Sequence, residues 1–351
     1  MPSSSRFLWL DAARGIAALG VLAVHVESAP REIVGWGVTW VEFFFVLSGF
    51  VLCSPLLKII ETKDQSKQRK TRWMVSRLIR FWVVLLPALM LVFSIEVFEF
   101  WRESNNGEVG IEKSLFPDQI LAWIGAALFL QVVWSSALDW HGPAWSLSVE
   151  LFVNTVAIGA DAAKFKSRIF ILCSMGLFLS LFSEAIVNLW PNILGNFLIK
   201  GFGLGMLGFF CGILAKLWWD LRQLKVSVLP GLVLTLSLIS LMYFNFFFFP
   251  NIAEVLNCLV SVPLVLTLAS INQVELGRKT TSIFTFLGAT SFGVYLFHSP
   301  VILLIDWFLA QKLHWAAFVL VAAALSSMVS YLNLRCIEQI LRNKLDKALN
   351  R

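Results

Sequence analysis

Apolar residues in this chain run in blocks of about twenty, each closed off by charges, glycines or prolines, and not in the narrow stripes of water-soluble helices. A bilayer core about 30 Å thick needs roughly 20 residues of helix at about 1.5 Å per residue. The pattern therefore predicts ten membrane helices, at 7–26, 38–57, 80–100, 143–160, 169–187, 197–215, 229–249, 252–271, 283–304 and 315–335. A further apolar stretch, 119–134, would invert every later loop if it crossed, so it is read as an interfacial or re-entrant helix. The expected fold class is all-α, a polytopic membrane helix bundle.

Composition agrees with this pattern. Of 351 residues, 58% are hydrophobic and 14% charged, with a mean hydropathy of +0.78, where soluble domains are about a quarter charged. The loops 58–79 and 101–118 are too small to fold alone, so the reading is one integral-membrane domain over 1–351 with no appended soluble domain. MPSSSR is too short and weakly basic for a cleaved signal, and the run after it is kept as the first span.

The net charge of +6 invites a nucleic-acid reading, but in a membrane protein the placement of cations matters more. With the N-terminus in the cytoplasm, 22 of the 28 lysines and arginines fall in cytoplasmic segments, so both termini are placed there and no nucleic acid is expected. The five cysteines lie in apolar segments without metal-type or paired spacing; they read as core residues, and no metal is expected.

Polar residues within the spans carry the candidate chemistry, because burying them in hydrocarbon is costly. In the first span Arg14 and His25 are eleven residues apart, about 20° past three turns, and so share a face about 16 Å apart along the axis. Asp11, three residues before Arg14, is placed to hold its guanidinium. Sorted by depth, the polar residues form two groups. The outer group holds His25, Glu42, Trp145, Ser146, Glu150 and, late in the ninth span, Tyr295 and His298. An imidazole beside a carboxylate suits hydroxyl activation, with Glu150 or Glu42 orienting the His25 ring. The inner group is Asp11 and Arg14 with Arg77 and Arg80 of SRLIR, arginines three apart that can grip a phosphorylated ligand. Between them Ser48 and Gly49 permit close helix approach or a ligand passage. Plainer readings fit the same residues: end-of-helix cations, a headgroup-level histidine, and a polar plug between helices.

The segments LDAARGIAALGVLAVH, VEFFFVLSGFVL, SRLIRFW, GPAWSLSVELFV and SFGVYLFHSPV occur in one order along the chain. In that order the chain resembles the membrane-bound acyltransferase-3 family. The resemblance implies an integral-membrane O-acyltransferase that takes an acyl group, most often acetyl from acetyl-CoA, and places it on sugar hydroxyls of cell-envelope or exported polysaccharides. It implies a catalytic role for His25, donor binding by Arg14, Arg77 and Arg80, and less defined roles for Glu150 and His298. It implies residence in a bacterial inner membrane with acyl-CoA, a carbohydrate acceptor and the lipid bilayer as partners, and leaves open whether the chain forms a homo-oligomer. The third span opens RFWVVLLP where relatives often place a tyrosine or proline soon after the arginine, and the esterase-like domain some relatives append is absent. The enzymatic reading requires Arg14 and His25 to face one cavity. The rival reading is a transporter or exporter of a small acylated or sugar substrate; internally repeated halves or paired interrupted helices would mark it, and the sequence displays neither.

Overall fold

A computed structural model describes residues 7–27, 29–30, 39–61, 66–105, 117–131, 142–159, 164–189, 196–271, 276–309 and 313–341. Among the described residues there are eleven α-helices and no strand. They are α1 (Leu8–Val24), α2 (Trp40–Glu61), α3 (Ser66–Asn105), α4 (Pro117–Ala127), α5 (Trp145–Ile158), α6 (Phe165–Leu189), α7 (Asn196–Arg222), α8 (Val228–Phe248), α9 (Ala253–Ile271), α10 (Arg278–Leu309) and α11 (Trp315–Asn333). Ten of them fall on the ten expected blocks, and α4 falls in the re-entrant stretch. Eight are long and apolar enough to cross a membrane; α1 at 17 residues, α5 at 14 and α4 at 11 are shorter. The protein is an all-α polytopic helix bundle and a multi-pass membrane protein.

Packing separates an inner set of helices from a rim. The apolar windows of α7 and α9 are 67% and 61% buried, whereas those of α6, α11 and α8 are 28%, 22% and 17% buried. The rim turns Phe170, Phe178, Leu229 and Leu236 outward, a surface suited to lipid and not to water. Lipid tails remove the hydrophobic drive for helices to meet, so small residues that let backbones approach set the inner contacts. A Cβ at Gly49 of α2 would overlap the Phe209 carbonyl of α7, and one at Gly212 of α7 would overlap the Val46 carbonyl of α2. The glycines of GFGLGMLGFFCG are thus helix contacts. So is Gly49, whose site is filled by α7 and is no ligand passage. Between α1 and α10, Gly15 lies under Leu287 and Gly288 under Asp11.

Two differences from the sequence reading move the site. α3 does not begin at residue 80 but at Ser66, giving a 40-residue helix. Nothing in KQRKTRWMVSRLIR breaks a helix, so the basic run continues into the span and carries Arg77 and Arg80 with it. α4 is eleven residues long and spans about 16 Å, near half a bilayer core. Trp82 Nε1 of α3 donates to the Ala127 carbonyl at its end (2.8 Å), and the Leu130 and Phe129 amides bond back to Gly125 and Ala126. That crossed pair closes the helix, with Phe129 in the left-handed seat normally given to glycine (φ 62°) and stacked on Trp82. Residues 132–134 of the re-entrant stretch and 106–116 of the loop before it lie outside the described residues.

Candidate active site

A cavity of about 130 Å³ lies between α1, α2, α3, α5 and α10. Its walls are Val41, Phe44, Phe45, Leu52, Phe81 and Phe292, and its polar lining is Arg14, Ser48, Arg77, Arg80, Ser146, Glu150, Ser291 and Tyr295. It is smaller than the roughly 300–1,000 Å³ usual for drug-sized ligands, so it suits the end of a molecule, such as an arm with a reactive tip.

Arg14 is positioned by two neighbours. It lies 3.6 Å from the Asp11 carboxylate, as the i,i+3 spacing predicts, and its Nη2 donates to the Gly288 carbonyl of α10. A side chain at residue 288 would fill the space occupied by Asp11, so this glycine is what allows α1 and α10 to approach and the ion pair to fit.

Glu150 does not orient His25. Its Oε1 accepts from Arg77 Nη2 (2.6 Å) and from Ser48 Oγ (2.8 Å), tying α5 to α3 and α2. The expected inner and outer groups therefore meet: the longer α3 brings Arg77 up, and Glu150 sits a turn and a half into α5. Arg77 is 8% exposed, and its guanidinium also lies over Trp73 and Phe81. Arg77 is thereby the counter-ion of Glu150, while Arg14 and Arg80 are the other cations of the cavity. Both bonds land on Oε1, and Glu150 lines the cavity.

Tyr295 lines the same cavity beside Ser146. Its hydroxyl donates to the Pro143 carbonyl (3.0 Å) and lies 2.9 Å from Ser146 Oγ. Behind Tyr295 is the buried His298, ring centroids 6.1 Å apart, and behind His298 is His25. His298 Nε2 lies 3.2 Å from His25 Nδ1, which also bonds the Val21 carbonyl (2.9 Å). A bond to a carbonyl requires the proton on Nδ1, so the neutral His25 ring keeps its lone pair on Nε2. The imidazole is thus oriented by its own helix backbone and by a second histidine. Ser291, Tyr295 and His298 follow one flank of α10 as their spacing predicts, but His25 does not line the cavity that holds Arg14.

Glu42 stands apart from His25. Buried at 4% exposure, it has Glu254 of α9 and Lys200 of α7 as charged neighbours, themselves an ion pair (2.5 Å). Trp145 packs its ring on Phe45 and Gly201, a contact between helices. Sequence reasoning missed Gln131, buried at 1%, which accepts from Ser148 Oγ (2.7 Å) and donates to the Ala126 carbonyl (2.8 Å), joining α4 to α5. A glutamine within an apolar run was the available signal. It also missed Cys173 and Cys211, whose sulfurs are 3.1 Å apart across α6 and α7; their separation in sequence hid them. Among the described residues no group of three His, Cys, Asp or Glu could hold a metal.

With the geometry in place, comparison with known proteins bears on its chemistry. An acyltransferase domain family model matches residues 7–332, which takes in all five motif segments and every cavity residue. The chain belongs to this acyltransferase family. This membrane acyltransferase is also similar to "Protein 2 in picA locus" of Rhizobium radiobacter, 30% identical over 156 residues that cover 43% of this chain and 80% of that protein. No solved structure matches it.

Proposed function

We propose that this acyltransferase moves an acetyl or other short acyl group from acyl-CoA on the cytoplasmic side to a hydroxyl of a sugar at the outer face, in a bacterial inner membrane. The observation that supports this reading best is the order of groups along the site. Fixed cations at Arg14 and Arg80 come first, then the hydroxyls of Ser146 and Tyr295, then the His298–His25 imidazoles.

The nucleotide of acyl-CoA stays at the cytoplasmic mouth, where Arg80 and the basic first turns of α3 raise the local concentration of anions. The uncharged pantetheine arm enters the apolar cavity and brings its thioester to Arg14, whose guanidinium opposes the charge that develops on the carbonyl oxygen. His25 Nε2 takes the proton of the acceptor hydroxyl, and His298 shares the resulting positive charge. Arg77, bonded to Glu150, serves to hold that carboxylate in place.

The test is direct. Purified protein in lipid nanodiscs is given radiolabelled acetyl-CoA and a panel of envelope glycans. Label on carbohydrate is expected, and it should disappear in His25→Ala while the protein remains folded in the membrane. Intact thioester after prolonged incubation with every glycan, or undiminished transfer by His25→Ala, would overturn the reading.

A further inference from the structure

Arg14 and Ser146 line the cavity, while His25 does not; from Ser146 the contacts run through Tyr295 and His298 to His25. Ser146 is a nucleophile within that space which the simple transfer does not use.

We infer that Ser146 carries the acyl group as a covalent ester between donor and acceptor, an inference that rests on the acyltransferase reading above. Four observations converge on it. Ser146 lines the cavity, and its Oγ lies 2.9 Å from the Tyr295 hydroxyl. It also bonds the Pro143 carbonyl (3.3 Å), which receives Tyr295 as well, so both hydroxyls are held at one point. Ser146 sits in the first turn of α5, whose N-cap, Ala144, makes no side-chain bond to the early amides. Glu150, four residues on, shares its helix face and the same cavity. The other cavity serines lack this combination: Ser48 is committed to Glu150 and Ser291 to the Gly288 carbonyl.

The chemistry balances in two steps. In the first, Ser146 Oγ attacks the thioester carbon and Glu150 takes the hydroxyl proton. The carbon–sulfur bond breaks, and the departing thiolate, the stronger base, collects that proton from Glu150. In the second, His25 Nε2 deprotonates the acceptor hydroxyl, whose oxygen attacks the ester. The bond to Ser146 Oγ breaks, Tyr295 protonates the leaving oxygen, and the imidazolium pair restores the Tyr295 proton.

Wild type, Ser146→Ala, Ser146→Cys and His25→Ala are incubated with acetyl-labelled CoA without acceptor, quenched and mapped by mass spectrometry. Wild type should hold the label on the peptide containing Ser146 in a form that survives neutral hydroxylamine. His25→Ala should hold the same label and fail to pass it to glycan. Ser146→Cys should take the label as a thioester that neutral hydroxylamine releases, and this variant also reports that a side chain at 146 is reached in a folded protein. Ser146→Ala should take none and lose at least about 100-fold in turnover, the scale on which removed catalytic groups act. Label on a histidine, or near wild-type turnover by Ser146→Ala, overturns the ester while leaving the acyltransferase intact. Absence of any thioester turnover in wild type overturns the parent reading instead.

Discussion

Nε2 of His298, on α10, stands 3.2 Å from Nδ1 of His25, at the end of α1, and the two rings are 4.7 Å apart at 50°. The carboxylate expected beside a catalytic imidazole is replaced here by a second imidazole. The Val21 carbonyl fixes the tautomer of His25, and the second imidazole meets the ring at the same Nδ1.

This pairing predicts unequal effects for its members. His25→Ala should cost about 10²–10⁴ in kcat, the usual contribution of a general base. His298→Gln should cost less, since Val21 still fixes the His25 ring, and should leave KM for acyl-CoA near wild type. Steady-state kinetics in nanodiscs measure both.

The Arg77–Glu150 pair predicts a stability signature. Arg77→Ala leaves a carboxylate unpaired within the bundle and should destabilise by about 3–5 kcal/mol, read as a drop in thermal unfolding temperature. Replacing both residues with methionine should recover most of that loss while activity stays low. A donor-phosphate role would instead leave stability unchanged and raise KM for acyl-CoA in Arg77→Ala.

For Arg14 the support comes from Gly288. Gly288→Ala places a methyl on Asp11 and the guanidinium loses its seat, so donor KM should rise as it does in Asp11→Asn. Arg14→Lys keeps the charge but loses the planar fork, and should rescue neither.

Contact between α2 and α7 is tested by volume. Gly49→Val must push the Phe209 backbone aside and should cost at least about 1–3 kcal/mol, seen as lost monodisperse protein in detergent.

Cys173 and Cys211 should cross-link under a mild oxidant, with two of the five thiols lost and α6 joined to α7 after proteolysis between them. Cys53 and Cys258 should remain as free thiols, since both are buried elsewhere.

The blocks of apolar sequence were enough to locate ten helices, because a bilayer imposes their length. Helix ends were less legible: nothing in the composition of residues 66–79 says whether basic residues sit beside the membrane or continue its helix. Asp11–Arg14 was readable because it is local. Glu150 to Arg77 was not, since a partner 73 residues away depends on how far α3 slides along α5. The acceptors that seat Arg14, Tyr295 and His25 are the carbonyls of Gly288, Pro143 and Val21, and main-chain atoms carry no identity in a sequence. That His25 does not line the cavity of Arg14 was hidden too: residue spacing gives direction around a helix, not which space lies ahead.

α4 changes what the surrounding membrane has to accommodate. At eleven residues α4 covers about half the depth of a bilayer core, and its fastening to α3 at Trp82 and its closure on Phe129 set a short helix among full-length spans, so lipid on that flank meets a wall of uneven height.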